Sequence, residues 1–320
     1  MKLLLIAALF AATVTHAQTR WQLATGYRAE SFHTQNIVWF AGEVKRTTAG
    51  ALRIEVRPNN TLIKLGDIRQ AVQAGQVQAG ETIMSSLVEA IPIAGADAIP
   101  FVVGNYADAK RLWDLQRPLI DKHFAARGLK ALYAVPWPPQ GLYTVAPMRS
   151  AADFKGMRMR TYNQATVRIA EMLGATPVDV PMVEVNKALA GGRLDSMITS
   201  AVTGVENQVW SQFRHYHEIN AWFPKNIVFV NLQAFDALQP AVKLAVLSAA
   251  GEAELRGWAM SQEEATASAR KLKAEGMQVD RIAPGFEAEL KRLGERFSRE
   301  WVRSVGNEAN LIFVPYYFQR

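Results

Sequence analysis

The chain has 320 residues, 49% of them hydrophobic and 20% charged, and a formal net charge of +7. These are globular proportions, and the length suffices for two lobes with separate cores. With no cysteine it can form no disulfide, no thiolate nucleophile and no zinc–cysteine site. Its basic residues are scattered in runs no longer than two, which argues against nucleic acid as a partner.

Residues 1–17 read as a secretory signal: Lys2, an apolar stretch Leu3 to Ala12, then Thr15-His16-Ala17 suited to cleavage. The apolar stretch is too short to span a bilayer, and no other stretch reaches about 18 apolar residues. Trp21 to Ala24 opens the mature part as a strand. His33 to Thr47 has helical apolar spacing, and Leu52, Ile54 and Val56 alternate as a strand. Asp67 to Ala74 reads as a helix ended by Gly75. Gln78 to Ser85 is a strand whose hydroxylated end makes Ser85 a candidate ligand contact. Ile91 to Phe101 is rich in proline and small residues and reads as irregular. Two helices follow, Tyr106 to Leu115 and Leu119 to Arg127, with Gly128 as the stop.

Leu132 to Pro136 is a strand leading into Trp137-Pro138-Pro139-Gln140-Gly141-Leu142-Tyr143, where two prolines and a glycine predict an ordered loop. Loops carrying aromatic residues on rigid strands favour binding, so Trp137 is a second candidate. Met157 to Thr161 alternates as a strand with Arg158 and Arg160 on one face. Asn163 then heads a helix stopped by Gly174. Val178 to Met182, Val183 to Ala190 and Asp195 to Ser200 read as strand, helix and strand, with Gly191-Gly192 as the helix stop. Strands alternating with helices of this length predict a parallel sheet, with ligands at the carboxyl ends of its strands. Ile227 to Leu232 is apolar enough to be buried on both faces. Long helices then run to Glu275 and from Phe286 to Val305, and the apolar tail from Leu311 is expected to pack back onto a lobe.

Catalytic motifs are missing: there is no G-x-S-x-G elbow, no dinucleotide fingerprint and no P-loop. His215 and His217 lie two apart without an obvious third ligand, so no metal site is expected. What remains is recognition of an anion by arginine, whose planar fork matches a carboxylate and stays charged.

Three spaced runs carry a resemblance. Asp153, Lys155, Gly156 and Arg160 form the first, and Leu173, Gly174, Ala175 and Pro177 the second. Glu184, Val185, Ala188, Leu189, Gly192 and Asp195 form the third, with Ser196 where glycine is usual. Together they resemble the periplasmic solute-binding proteins of TRAP transporters, the DctP-type family, and the similarity extends over the whole mature chain. The resemblance implies an α/β fold of the two-lobe periplasmic binding protein class (type II-like), with a hinge and an inter-lobe ligand cleft. Residues 18–142 and 228–268 would form lobe I, and 143–227 and 269–320 lobe II.

It also implies a periplasmic monomer that captures a small organic acid, closes on it and delivers it to TRAP membrane subunits, without cofactor, metal, nucleic acid or turnover. The rival reading is a periplasmic sensor or enzyme on the same fold. Arg160 matches the family's carboxylate-binding arginine. Where members carry a second arginine this chain has Tyr143, and where some carry D-G-Q-E-N it has Asp195-Ser196-Met197-Ile198-Thr199. Tyr143, Met197 and Thr199 therefore suggest a pocket for a monocarboxylate with a less polar body. Met182, Trp222 and Asn226 complete the candidate set.

Overall fold

A computed structural model describes residues 18–318; the expected signal segment lies outside them. The first part runs β1 (Thr19–Ala24), α1 (Phe32–Thr47), β2 (Leu52–Arg57), α2 (Ile68–Gln73), β3 (Ala79–Ile83), α3 (Tyr106–Ala125) and β4 (Leu129–Pro136). The middle runs β5 (Gln140–Thr144), β6 (Arg158–Thr161), α4 (Gln164–Met172), β7 (Thr176–Asp179), α5 (Val185–Ala190), β8 (Ser196–Ser200), α6 (Ala201–Glu206) and β9 (His215–His217). The chain finishes with β10 (Lys225–Asn231), α7 (Leu232–Asp236), α8 (Pro240–Ala274), β11 (Gln278–Asp280), α9 (Pro284–Val305) and α10 (Asn307–Phe318).

The strands form two sheets, β2-β1-β3-β10-β4 and β11-β9-β5-β8-β6-β7, and each sheet is the centre of a lobe. Both are mixed rather than parallel. β1 pairs parallel with β2 and β3, and β6 with β7 and β8. The strands that have just crossed from the other lobe enter antiparallel: β10 between β3 and β4, and β5 between β8 and β9. β10 shows why its centre, Ile227 to Val230, is a continuous apolar run. Val228 and Val230 pack into the cluster under α1 and α8, while Ile227 and Phe229 face the cluster under α2 and α3. Burial on both faces leaves no position for a polar side chain in the middle of the strand.

Two passes of the chain make the hinge. Residues 137–139 lead from β4 to β5, and residues 218–224 lead from β9 back to β10. They pair as a short antiparallel ribbon: Trp137 N donates to Pro224 O (2.8 Å), Gln140 N to Trp222 O (3.0 Å) and Ala221 N to Gln140 O (2.9 Å). A third pass is α8, which packs on β4 and α1 but sends Leu272 into the core of the second lobe.

Several expectations differ from this structure. The predicted loop through Tyr143 is a strand from Gln140 onward, because both prolines precede it and Gln140 N finds its acceptor on residue 222. The two predicted helices around Pro118 are one helix, α3, with the proline inside it. The expected boundaries at 142/143 and 227/228 fall inside β5 and β10, each of which belongs wholly to one sheet. The end of the chain returns to the first lobe: Tyr316 donates to Val102 O (3.0 Å) under the Arg111 guanidinium, and His123 pairs with Glu308 (2.8 Å). Residues 307–318 therefore pack with lobe I, where the sequence placed them in lobe II.

Candidate ligand cleft

Between the lobes lies a cavity of about 250 Å³. Its second-lobe wall is built at the carboxyl ends of β6, β7 and β8, where open α/β sheets bind ligands. Arg160 and Tyr162 come from β6 and the residue after it, Asp179 from the end of β7, and Thr199 from β8. The first-lobe wall is aromatic and aliphatic, with Tyr27, Leu65, Ile83 and Trp137. Gln140 closes the hinge end.

Arg160 is 2% exposed, and among the described residues no carboxylate lies within ion-pair distance of it. Its Nε donates to Val180 O at 2.9 Å, and its guanidinium carbon stands 4.7 Å from the centre of the Tyr162 ring. Burial lowers its pKa to about 10, with Tyr162, Asp179 and Tyr27 opposing that shift, so it remains charged at neutral pH. A buried cation without a counter-ion is strongly unfavourable, and an anionic ligand relieves it. The neighbouring Arg158 is committed elsewhere: on the outer surface its Nε and Nη2 grip Asp195 at 2.9 and 2.6 Å.

Beneath the first-lobe wall a buried network sets the aromatic side chains. Asn226 Oδ1 accepts from Trp137 Nε1 (2.9 Å) and Tyr27 Oη (3.3 Å), while its Nδ2 donates to Glu81 Oε1 (2.9 Å). Thr25 Oγ1 donates to the other Glu81 oxygen at 2.6 Å, and His33 Nδ1 lies 3.5 Å from Oε1. Burial pushes the Glu81 carboxyl up to about 7 and holds His33 well below its ordinary value. The Asn226 amide is thus oriented by Glu81 and in turn orients Trp137 and Tyr27.

Of the residues singled out from sequence, Arg160, Trp137, Met182 and Thr199 line the cavity. Asn226 stands behind it, holding Trp137. Tyr143 and Met197 do not reach it. They pair across β5 and β8 in the second-lobe core, both fully buried, with Tyr143 Oη donating to Ser200 O at 3.1 Å. The inference drawn from these two replacements therefore loses its basis in the cleft. Trp222 is packed in the core beneath the ribbon. Ser85 lines a separate groove, where its Oγ accepts from Asn163 Nδ2 (2.8 Å); its neighbour Ser86 faces the cavity instead.

Sequence reasoning missed Tyr27, Leu65, Gln140 and Tyr162. Only Tyr162 carried a local signal, two residues beyond Arg160 at a strand end. His215 and His217 stack on β9 with ring centroids 5.8 Å apart, and among the described residues no group of three metal-ligating side chains occurs.

Comparisons with known proteins agree with this geometry. Residues 24–303 match the family described as bacterial extracellular solute-binding protein, family 7 (DctP). DctP6 of Bordetella pertussis, an extracytoplasmic solute receptor binding pyroglutamic acid, is 33% identical. It superposes with a TM-score of 0.92 over 94% of this chain and 100% of its own. A TRAP solute-binding protein specific for pyroglutamate, from a marine metagenome, is 36% identical, with a TM-score of 0.91 over 95% of this chain and 100% of its own. The 2,3-diketo-L-gulonate-binding periplasmic protein YiaO of Escherichia coli is 25% identical over 95% of this chain and 90% of its own. The two-lobe architecture, the hinge ribbon and the match over most of the chain place this protein in the DctP family of TRAP-type extracytoplasmic solute receptors.

Proposed function

We propose that this receptor captures a small acid with a single carboxylate, pyroglutamate being the first candidate, and delivers it to TRAP membrane subunits. The observation that carries the reading is the charge inventory of the cavity: among the described residues lining it, Arg160 is the only cation. One carboxylate matches it. A second would be desolvated without a partner and, at the mouth, would face Asp179. The small volume and the wall of Tyr27, Trp137, Leu65 and Ile83 suit a compact, weakly polar body. Pyroglutamate has one carboxylate and a small ring, and receptors 33–36% identical over nearly the whole chain bind it.

The family and its structural relatives are binding receptors; we read this chain in the same way, as a monomer exported by residues 1–17 that returns its ligand unchanged. Calorimetry with L-pyroglutamate, other monocarboxylates, glutarate and malate tests the reading. Pyroglutamate or another monocarboxylate should bind tightest and be recovered intact. A dicarboxylate binding more tightly than every monocarboxylate would overturn it, and conversion of the bound acid would overturn the receptor role.

A further inference from the structure

The Arg160 guanidinium rests on Tyr162, and Tyr162 is tied to the hinge. Its hydroxyl donates to Gln140 Oε1 at 3.3 Å. Gln140 is 3% exposed and has all its polar groups engaged. Its backbone N donates to Trp222 O, its backbone O accepts from Ala221 N, and its Nε2 donates to Pro138 O at 3.0 Å. The Trp222 indole lies beside the same tyrosine hydroxyl without a well-formed hydrogen bond to it. One side chain thus touches the anion anchor with its ring and both strands of the hinge ribbon with its hydroxyl. Burial pushes the Tyr162 phenol up to about 12, so the hydroxyl remains a donor throughout the neutral range.

We propose that Tyr162 and Gln140 are positioning residues that couple the Arg160 anchor to the hinge. The inference rests on the reading of Arg160 as the carboxylate anchor. Arg160 has two restraints, Val180 O at Nε and the Tyr162 ring at its face, and together they leave the Nη pair to meet a ligand. Rotating the ribbon moves Gln140, which pulls the Tyr162 hydroxyl and tilts the ring that supports the guanidinium. The anion-ready fork and the closed ribbon are therefore one state. A ligand carboxylate that fixes the fork holds the ribbon closed by the same differential contact, as population shift requires. Loss of the tie leaves the charge in place but lets anchor and hinge move separately, so the bound state should be lost faster while encounter is unchanged.

The test is a double-mutant cycle in the full-length mature protein. Tyr162→Phe keeps the ring and removes the hydroxyl; Gln140→Met keeps the bulk and removes the acceptor. L-pyroglutamate is the probe; if the wild type leaves it unbound, the organic acid giving the largest thermal shift takes its place. Stopped-flow dissociation, calorimetry and ligand-free thermal melting are read for each variant, with Arg160→Ala alongside. Tyr162→Phe should raise the dissociation rate about tenfold with association within about twofold and ligand-free melting little changed. Gln140→Met should match it in dissociation rate, although it also loses the Nε2–Pro138 O bond and so melts lower, and in dissociation the double variant should be no worse than either single one. Wild-type dissociation in Tyr162→Phe, additive effects, or a fall in melting temperature without a change in dissociation would each overturn the coupling. Full binding by Arg160→Ala would instead overturn the anchor reading on which it rests.

Discussion

Arg160 illustrates a conflict between binding and stability within one side chain. Its charge is buried without an ion-paired carboxylate, so ligand-free folding bears a desolvation cost that Tyr162, Asp179 and Tyr27 offset only in part. Arg160→Met fills similar space with no charge. It should lower affinity for the acid at least 30-fold, in line with the 2–5 kcal/mol or so typical of breaking a buried charge pair. The same change should raise the ligand-free melting midpoint, by on the order of 1 kcal/mol in stability. Calorimetry and melting of one variant check both; unchanged binding, or a large loss of stability, would remove Arg160 from its assigned role.

Glu81 supplies a pH dependence whose sign follows from burial. Below about 4.3, the ordinary glutamate value, its carboxyl is protonated in both folded and unfolded chains and its contribution is fully present. As pH rises towards 7 the unfolded chain ionises while the folded one resists, so stability is lost across that window. His33, facing Glu81 and buried neutral, acts oppositely, losing its contribution as pH falls below 6.5. Comparison with Glu81→Gln isolates the carboxyl. The wild type should lose stability relative to the variant by roughly 1.4 kcal/mol per pH unit between about pH 5 and 7. Denaturant titrations at pH 5, 6, 7 and 8 measure it, and a pH-independent difference would show that Glu81 ionises normally.

Among elements, α8 shows how neighbours decide the effect of one substitution. Gly251 has nothing within 4 Å of where a Cβ would stand, whereas at Gly257 that atom would lie 2.4 Å from Val135 Cγ2 and 2.8 Å from Asn36 Nδ2. Gly251→Ala should stabilise by about 0.5–1 kcal/mol through helix propensity, and Gly257→Ala should destabilise by about 1–3 kcal/mol through overpacking against β4 and α1. Chemical denaturation gives both values; equal effects would mean that α8 is not packed as described.

Local signals made most elements legible. Gly75, Gly128, Gly174 and Gly192, each expected as a stop, all adopt positive φ, and Asn163 caps α4 by accepting from Thr166 N. The strand β5 was hidden because its partners, β8 and β9, lie more than 50 residues away. Pro118 was misleading because a long, well-packed helix tolerates a loss that local propensity weighs heavily. In the cleft, Arg160 was legible from its strand position and family match. Tyr27, Leu65 and Gln140 were not, since each enters the cavity from a turn or hinge whose sequence shows no period. Tyr143 and Met197 were misplaced because neighbouring strand positions on one face reach different depths of the lobe.

On the scale of the whole molecule, side-chain hydrogen bonds on two sides of the molecule join the lobes. On one side Asn163 Nδ2 donates to Ser85 Oγ (2.8 Å). On the other, Arg28, in the loop after β1, donates through Nη1 to Glu206 O and through Nη2 to Asn207 Oδ1 (3.5 Å) at the end of α6. Both must break for the cleft to open, whereas the ribbon and α8 remain continuous and confine the motion to a bend about the hinge. Ligand contributes contacts available only when the lobes are together, so it should shift the population towards the closed form. Small-angle scattering should show a smaller radius of gyration with saturating acid than without. Arg28→Ala with Asn163→Ala should enlarge the ligand-free radius and weaken binding roughly tenfold or more, for the loss of two or three net hydrogen bonds. An identical radius with and without ligand in both proteins would mean that the acid enters a cleft already closed, and the clasp would then have no part in capture.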